Sequence, residues 1–344
     1  MDVPERSRQT ACADRSRPST FSTEADGLSR GFGEVGRSGH LLTWIAIAVF
    51  ALFCAACNGK RDTSPEAPKA QGTETSEAHA PAPKPAGASN AIEVTPFNFQ
   101  ISSGADEYQI EGFIARAKAT GRFPAVLVLN GDKGNARNCI RNTEHFTDLG
   151  ILVACISLPG YGKSSGPSRF VGVQSVAAAR RALDLLASRP DVDPSRMAVW
   201  GVADGAVAAG LLMDSDSRPR AIILQSGAYD MLKLWPEAPL RTKLSILRQV
   251  WPSKKALRDR SVIENMPAHL DCSVLILHGA RDHRMPIVQA EQLAEALAER
   301  GAHVETHYFP TGAHELGRDV DLPLRNFLRD NLLAPAAAPD SKAS

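Results

Sequence analysis

The chain has 344 residues, of which 43% are hydrophobic, and its formal net charge at pH 7 is +1. This length accommodates one sizeable core with further segments, and the near-neutral charge gives no electrostatic basis for binding nucleic acid. Six cysteines are too few for a disulfide framework. The C-x-x-C pair Cys54–Cys57 has no accompanying histidine or second pair, so we predict no metal site and no cofactor.

The chain begins with two segments outside any predicted domain. Residues 1–40 are polar and lack apolar periodicity, which predicts a disordered extension. Residues 41–56 are a nearly unbroken apolar run, of the length of a signal-peptide core and short for a membrane span. Segment 41–57 is therefore predicted to direct export.

The end of the apolar run resembles a bacterial lipobox. Two small residues, Ala55 and Ala56, precede Cys57, although Cys54 stands where the pattern usually has leucine. The resemblance implies cleavage before Cys57, lipid attachment to it, and a membrane-anchored lipoprotein of the cell envelope. A plain secretory signal, giving a secreted or periplasmic protein, and an uncleaved anchor remain as alternatives. Each of them exports the domain.

Low-complexity segments flank the predicted domain. Residues 58–90 are rich in Ala, Pro, Lys, Glu, Ser and Thr and have no apolar face, which predicts a flexible tether. A coil of that length spans about 30 Å. Residues 334–344 are predicted to be a loose tail.

Residues 91–333 alternate strand and helix patterns. An opening antiparallel pair is followed by six further strands, predicted at 97–102, 108–116, 125–129, 151–157, 197–200, 221–225, 273–277 and 304–309. Helices are predicted between the later strands and after the last one, at 135–149, 171–188, 205–213, 286–300 and 319–332. This alternation with short links predicts an α/β domain with a doubly wound, mostly parallel sheet.

Residues 229–266 interrupt that alternation. Four apolar residues fall on one helical face there, with Lys and Arg on the other: Leu240, Leu244, Leu247 and Trp251. An insertion between two core strands suits a small helical cap over the carboxyl edge of the sheet, where such folds bind ligands. A plain amphipathic helix on the flank of the domain is the alternative.

The segment from Arg196 to Ala206 has the layout of a nucleophile elbow. A short strand leads into a turn framed by Gly201 and Gly205, and an Ala-rich helix follows. The elbow pattern is G-x-S-x-G, and its serine attacks a carbonyl carbon. Ala203 occupies the serine position, and a methyl group cannot act as a nucleophile.

Two later motifs each follow a predicted strand. Asp282 ends the segment His278–Asp282, and His314 ends Gly312–His314. A histidine in hydrogen-bond reach of a hydroxyl acts as general base, and a carboxylate orients the imidazole and stabilises its charged form. An acid in a turn and an exposed loop histidine are the alternatives.

The order of elbow, acid and histidine resembles that of the α/β-hydrolase superfamily, on its prolyl-oligopeptidase and dienelactone-hydrolase side. The segments that carry the resemblance are Pro159–Pro167, Asp193–Gly201 and His278–Pro286. It implies the α/β-hydrolase fold, with Asp282 and His314 as acid and base. It also implies an oxyanion hole made of the backbone N–H groups of Asp132 and Asp204.

Other nucleophiles have less support in the sequence. A carboxylate at Asp204 lies one residue after the elbow apex, where the helix dipole favours it without catalysis. Cys155 lies in a strand pattern and is predicted to be a buried apolar residue. Three turn serines near the sheet edge match no motif: Ser164, Ser165 and Ser226. Pairing of Cys139, Cys155 and Cys272 is left open.

The sequence therefore predicts an exported pseudo-hydrolase. Such a protein would bind a small molecule or peptide in the pocket under the cap, and the membrane through its N-terminal lipid or signal anchor. The alternative is an active ester, amide or peptide hydrolase in which Asp282 and His314 serve a relocated nucleophile.

Overall fold

Eight strands form one sheet in the part of the chain that a computed structural model describes, residues 89–131 and 134–334. They are β1 (Ser89–Ser103), β2 (Asp106–Lys118), β3 (Phe123–Asn130), β4 (Leu152–Ser157), β5 (Val192–Val202), β6 (Ala221–Gln225), β7 (Ser273–Gly279) and β8 (His303–Phe309). Their order is β1-β2-β4-β3-β5-β6-β7-β8. β2 runs antiparallel to β1 and β4, and the other neighbouring pairs are parallel. The predicted doubly wound, mostly parallel sheet is confirmed.

Helices cover both faces of this sheet. They are α1 (Ala136–Thr143), α2 (Val173–Ala187), α3 (Asp204–Leu212), α4 (Met231–Glu237), α5 (Leu240–Leu247), α6 (Lys254–Arg258), α7 (Val288–Ala298) and α8 (Asp321–Leu328). Residues of α2, α3 and α7 pack on one face, and residues of α1 and α8 on the other. Strands β3 and β4 are therefore buried on both sides, which explains their unbroken apolar sequences.

The predicted elements are present, with differences at their ends. The helix expected at 135–149 ends at Thr143, and Glu144–Leu149 continue as a 3-10 helix. The 3-10 helix ends at Gly150, whose left-handed φ of 78° glycine adopts without strain. β1 begins at Ser89, slightly inside the segment expected to be tether.

The insertion between β6 and β7 is the predicted cap. It contains α4, α5 and α6, and residues of α5 line a cavity together with Asp204 and Glu315. Since Asp204 follows β5 at its carboxyl end, α5 lies over that edge of the sheet rather than on the flank.

The orientation of α5 differs from the usual outcome for an amphipathic helix. Its buried residues are Thr242 and Ile246. The four apolar residues that the sequence places on one face are exposed to 72%, 42%, 40% and 79%: Leu240, Leu244, Leu247 and Trp251. The apolar face of α5 is therefore directed away from the core.

A disulfide joins Cys139 in α1 to Cys155 in β4. Cys155 is fully buried, as predicted, and the disulfide gives the pairing that the sequence left open. Cys272 is a free thiol, and burial raises its pKa to about 11. The cross-link fastens α1 to the centre of the sheet.

Replacing both half-cystines, Cys139→Ala and Cys155→Ala, is expected to lower the free energy of unfolding by about 3 kcal/mol. The two cysteines lie 16 residues apart, and closing a loop of that size removes about this much unfolded-state entropy. Urea denaturation of the two proteins measures the difference. Equal stabilities would show that the bond does not form, and thiol titration of the unfolded wild-type protein checks this directly.

Several predictions concern residues outside the described ranges. They are the extension 1–40, the export segment 41–57 with Cys57, most of the tether, Asp132, and residues 335–344 of the tail. Within the described ranges, no helix is long and apolar enough to cross a membrane.

Candidate active site

Ala203 lies at the apex of a sharp turn between β5 and α3. Its φ of 51° and ψ of −116° cost a residue with a Cβ atom on the order of 1–3 kcal/mol. Its N–H donates to the carbonyl oxygen of Gln225 at 2.9 Å, and its carbonyl oxygen accepts from the N–H of Ala206 at 2.9 Å. The turn has the strained shape of a nucleophile elbow, but it presents a methyl group.

Glycines allow this turn to pack against β3 and its following loop. A Cβ atom on Gly201 would overlap the carbonyl oxygen of Gly205, and one on Gly205 would overlap that of Leu129. A Cβ atom on Gly131, in the loop after β3, would overlap the backbone nitrogen of Asp204. The spacing of Gly201 and Gly205 in the sequence thus reflects contacts between backbones.

His314 and Asp282 are brought together at the same edge of the sheet. His314 Nδ1 lies 2.7 Å from Asp282 Oδ2, and the two side chains are 9% and 0% exposed. A neutral imidazole that donates from Nδ1 to a carboxylate keeps Nε2 as an acceptor. His314 Nε2 is buried and has no hydrogen-bond partner among the described residues. The pair therefore has the form of a base and its orienting acid.

The surroundings of Asp282 hold it in its charged form. Its Oδ1 accepts from the backbone N–H groups of Arg284 at 2.8 Å and Met285 at 2.9 Å. Burial alone would raise the pKa of the Asp282 carboxyl, but the hydrogen bonds from His314 and from this backbone outweigh it, so the pKa is lowered.

A second histidine lies beside this pair. His278 is fully buried, donates from Nε2 to the carbonyl oxygen of Met285 at 2.8 Å, and lies 3.7 Å from Asp282 Oδ2. Burial lowers the pKa of His278, so the ring is neutral at pH 7. Its contacts shape the loop that carries Asp282.

One half of the predicted oxyanion hole is placed by the structure. The backbone N–H of Asp204 lies at the first turn of α3, beside Gly131. Asp132, the other predicted donor, lies outside the described residues. The Asp204 carboxylate accepts from the hydroxyl of Tyr161 at 3.1 Å and lines the cavity under the cap.

That cavity has a volume of about 530 Å³ and carries charges of both signs. Its basic residues come from α5, the turn after it and the β7–α7 loop, and its acidic residues follow the elbow and His314. Its charged residues are Arg241, Arg248, Arg284, Asp204 and Glu315. A cavity with this lining suits a polar ligand that bears charge.

Gln249 joins the cap to the loop after β4. Its Oε1 accepts from Ser168 Oγ at 2.6 Å, from the Tyr161 hydroxyl at 3.2 Å and from the backbone N–H of Phe170 at 3.3 Å. Sequence reasoning did not identify Gln249, and it included Tyr161 only as part of the segment Pro159–Pro167, without a role. Both residues act through contacts between distant segments.

Arg260 makes a second connection from the cap to the same loop. Its guanidinium donates to the carbonyl oxygens of Phe170 at 2.6 Å and Arg169 at 2.9 Å. Arg169, Phe170 and Val171 have left-handed φ values of 42°, 42° and 50°. Three such residues in succession are strained, and cap side chains hold two of them in place.

The other nucleophiles considered from the sequence do not reach His314. Ser164 Oγ donates to the Ser157 carbonyl oxygen at 2.7 Å, and Ser165 Oγ accepts from a backbone N–H at 2.8 Å. Ser226 is fully buried with a φ of 53°, and its Oγ has no hydrogen-bond partner among the described residues. Asp204 is held by Tyr161. No described side chain takes the place of the elbow serine.

Comparison with known proteins places the chain in a family. A family model described as the prolyl oligopeptidase family matches residues 141–326, more than half of the chain. An uncharacterized protein of Mycobacterium tuberculosis is 30% identical over 204 residues, which cover 58% of this chain and 66% of that protein. An uncharacterized peptidase of Bacillus subtilis is 30% identical over 132 residues, which cover 38% of this chain and 20% of the peptidase.

The fold is also that of solved hydrolases. The structure of a 2,6-dihydroxy-pseudo-oxynicotine hydrolase superposes with a TM-score of 0.59 at 20% identity, covering 71% of this chain and 70% of that one. At this identity the likeness concerns the fold alone. Sheet order, elbow and cap together give the α/β-hydrolase architecture.

Proposed function

Because the chain belongs to the prolyl oligopeptidase family, we propose that it is a pseudo-hydrolase, which binds a ligand at a hydrolase site without cleaving it. The observation that carries this proposal is Ala203 at the apex of an intact elbow. Loss of a triad serine typically costs about a millionfold in turnover. What remains is a shaped pocket beside a base without a nucleophile.

The His314–Asp282 pair supports a protein that has kept the pocket of a hydrolase but has lost its catalytic activity. Nothing among the described residues hydrogen-bonds to His314 Nε2. A relocated serine or cysteine nucleophile would occupy that position. The alternative, an active hydrolase, is favoured only by the presence of the pair itself.

The ligand proposed is a small molecule or peptide that places a charged end in the cavity under the cap. Arg241 and Arg248 suit a carboxylate, and Asp204 and Glu315 suit an amine. Both groups occur on one molecule in amino acids and peptides.

The proposed location is the cell envelope, with attachment through a lipid on Cys57 or through an uncleaved signal anchor. The apolar run at 41–56 supports it. The Cys139–Cys155 disulfide supports it too, since disulfides persist mainly in oxidising compartments.

Hydrolysis of a panel of p-nitrophenyl esters and aminoacyl anilides tests the proposal. The unaltered chain and His314→Ala are expected to give the same rates, both at the level of buffer. Turnover by the unaltered chain that His314→Ala abolishes would overturn the proposal, since it would require a working nucleophile.

A further inference from the structure

The outer side of the cap carries a group of exposed apolar residues, here termed the cap stripe: Leu240, Leu244, Leu247 and Trp251. Nine large hydrophobic side chains are exposed in the described ranges, and four of them belong to this stripe. The spacing places them along one side of α5 and the turn after it. Trp251, 79% exposed, is the most exposed of the nine.

The residues around the cap stripe are basic. Between positions 239 and 258 the chain has six Lys and Arg residues and no acidic residue, although its overall net charge is only +1. Lys255 and Arg258 are paired with acids outside that interval. Arg241, Arg248 and Lys254 form no ion pair among the described residues and are exposed, and Arg241 and Arg248 also reach the lining of the cavity under the cap.

We propose that the cap docks on the surface of an anionic phospholipid bilayer. Leu and Trp side chains on one side of a helix with Lys and Arg beside them are the pattern of helices that lie in the membrane interface. Tryptophan favours the headgroup level, and each basic residue near an anionic leaflet adds to binding. Apolar side chains on one side of a helix are usually buried against the core. Contact with a bilayer would explain why those of the cap stripe are exposed instead.

This inference rests on the proposed membrane tether, which supplies the bilayer. The tether predicted at residues 58–90 would keep the domain within about 30 Å of the surface, so even weak docking would be strengthened by the high local concentration. Since the inner side of α5 lines the cavity, docking would bring the cavity within about one helix diameter, about 10 Å, of the headgroups. Amphiphilic ligands with a charged head would then enter from the membrane side.

The test uses the full chain carrying a protease recognition site within residues 70–80, reconstituted into vesicles. The linker is cut after reconstitution, and flotation measures how much of the released domain stays with the vesicles. Vesicles of phosphatidylethanolamine with phosphatidylglycerol are compared with vesicles of phosphatidylcholine. The domain is expected to remain on the anionic vesicles, with binding about tenfold weaker on phosphatidylcholine or in high salt.

Substitutions separate the cap stripe from exposed apolar residues in general. Leu240→Ser, and more strongly the combination with Leu244→Ser and Trp251→Ser, is expected to release the cut domain. Leu322→Ser is the matched control, because Leu322 is 69% exposed against 72% for Leu240 but lies on α8. It is expected to leave binding unchanged. Thermal unfolding confirms that each variant is folded.

The outcomes distinguish the two proposals. Flotation of the uncut chain with loss of the cut domain at low salt would overturn cap docking and leave the tether standing. If the uncut chain does not float with phosphatidylcholine vesicles, the tether is wrong, and its flotation with anionic vesicles at low salt would still support docking. If it floats with neither kind of vesicle, both proposals are overturned. If the cap stripe cross-links to another copy of the chain and the domain does not bind vesicles, the stripe contacts a second copy. That result would overturn the proposal.

Discussion

Ala203→Ser is expected to convert the protein into a hydrolase of activated esters, with turnover at least about a thousandfold above that of the unaltered chain. The backbone already has the elbow conformation, so a serine there adopts it at no greater cost than alanine does. His314 Nε2 lacks a partner among the described residues, and its other nitrogen is oriented by Asp282 at 2.7 Å. The hydroxyl would restore the missing member of the triad.

Two controls show whether any gain comes from the triad. The double variant with Ala203→Ser and His314→Ala should fall back to the rate of the unaltered chain, and a fluorophosphonate should label Ala203→Ser alone. Urea denaturation should show a loss of stability of no more than about 3 kcal/mol, the range of most single substitutions, so that the variant stays folded. A folded Ala203→Ser protein that is neither active nor labelled would show that the rest of the site no longer supports catalysis.

Gly205→Ala is expected to destabilise the domain by about 3 kcal/mol or more. The added Cβ atom would overlap the carbonyl oxygen of Leu129, which is backbone in the centre of the sheet and cannot rotate away. Either β3 or the start of α3 must shift, and both belong to the buried core. The midpoint of urea unfolding measures the loss.

Gly210→Ala is the matched control in the same helix. Its Cβ atom would meet the two methyl groups of the buried Val262 at 2.7 and 2.8 Å, so a side chain of the cap segment, and not sheet backbone, would have to shift. Alanine also favours the helix by about 1 kcal/mol over glycine, so the loss should be smaller than for Gly205→Ala. Equal losses for the two variants would show that contact with the β3 backbone is not the cause.

Elements with strong local signals could be predicted from the sequence. The apolar runs of β3 and β4 indicated buried parallel strands, and the Gly201–Gly205 spacing indicated a sharp turn before α3. The pairing of Asp282 and His314 was implied by the family resemblance. The structure explains it, because β7 and β8 are neighbouring parallel strands and end at the same edge.

Features that depend on contacts between distant segments could not be predicted. Cys139 and Cys155 pair because α1 packs on β4, which no spacing rule specifies. Gln249 reaches the loop after β4 only in the folded chain. The periodicity of α5 identified its apolar side correctly but not its direction, because a helical pattern does not state whether core, solvent or another surface covers that side.

The left-handed segment Arg169–Val171 affects the net free energy that holds the cap in place. Each residue there is held at a cost of order 1–3 kcal/mol, which the bonds from Gln249 and Arg260 must offset while the cap is closed. A movement of the cap that broke those bonds would let the segment relax, so its cost would be smaller than the bonds alone would give. A ligand that contacts Arg248 or Tyr161 in only one state would therefore shift the populations with a modest part of its binding free energy.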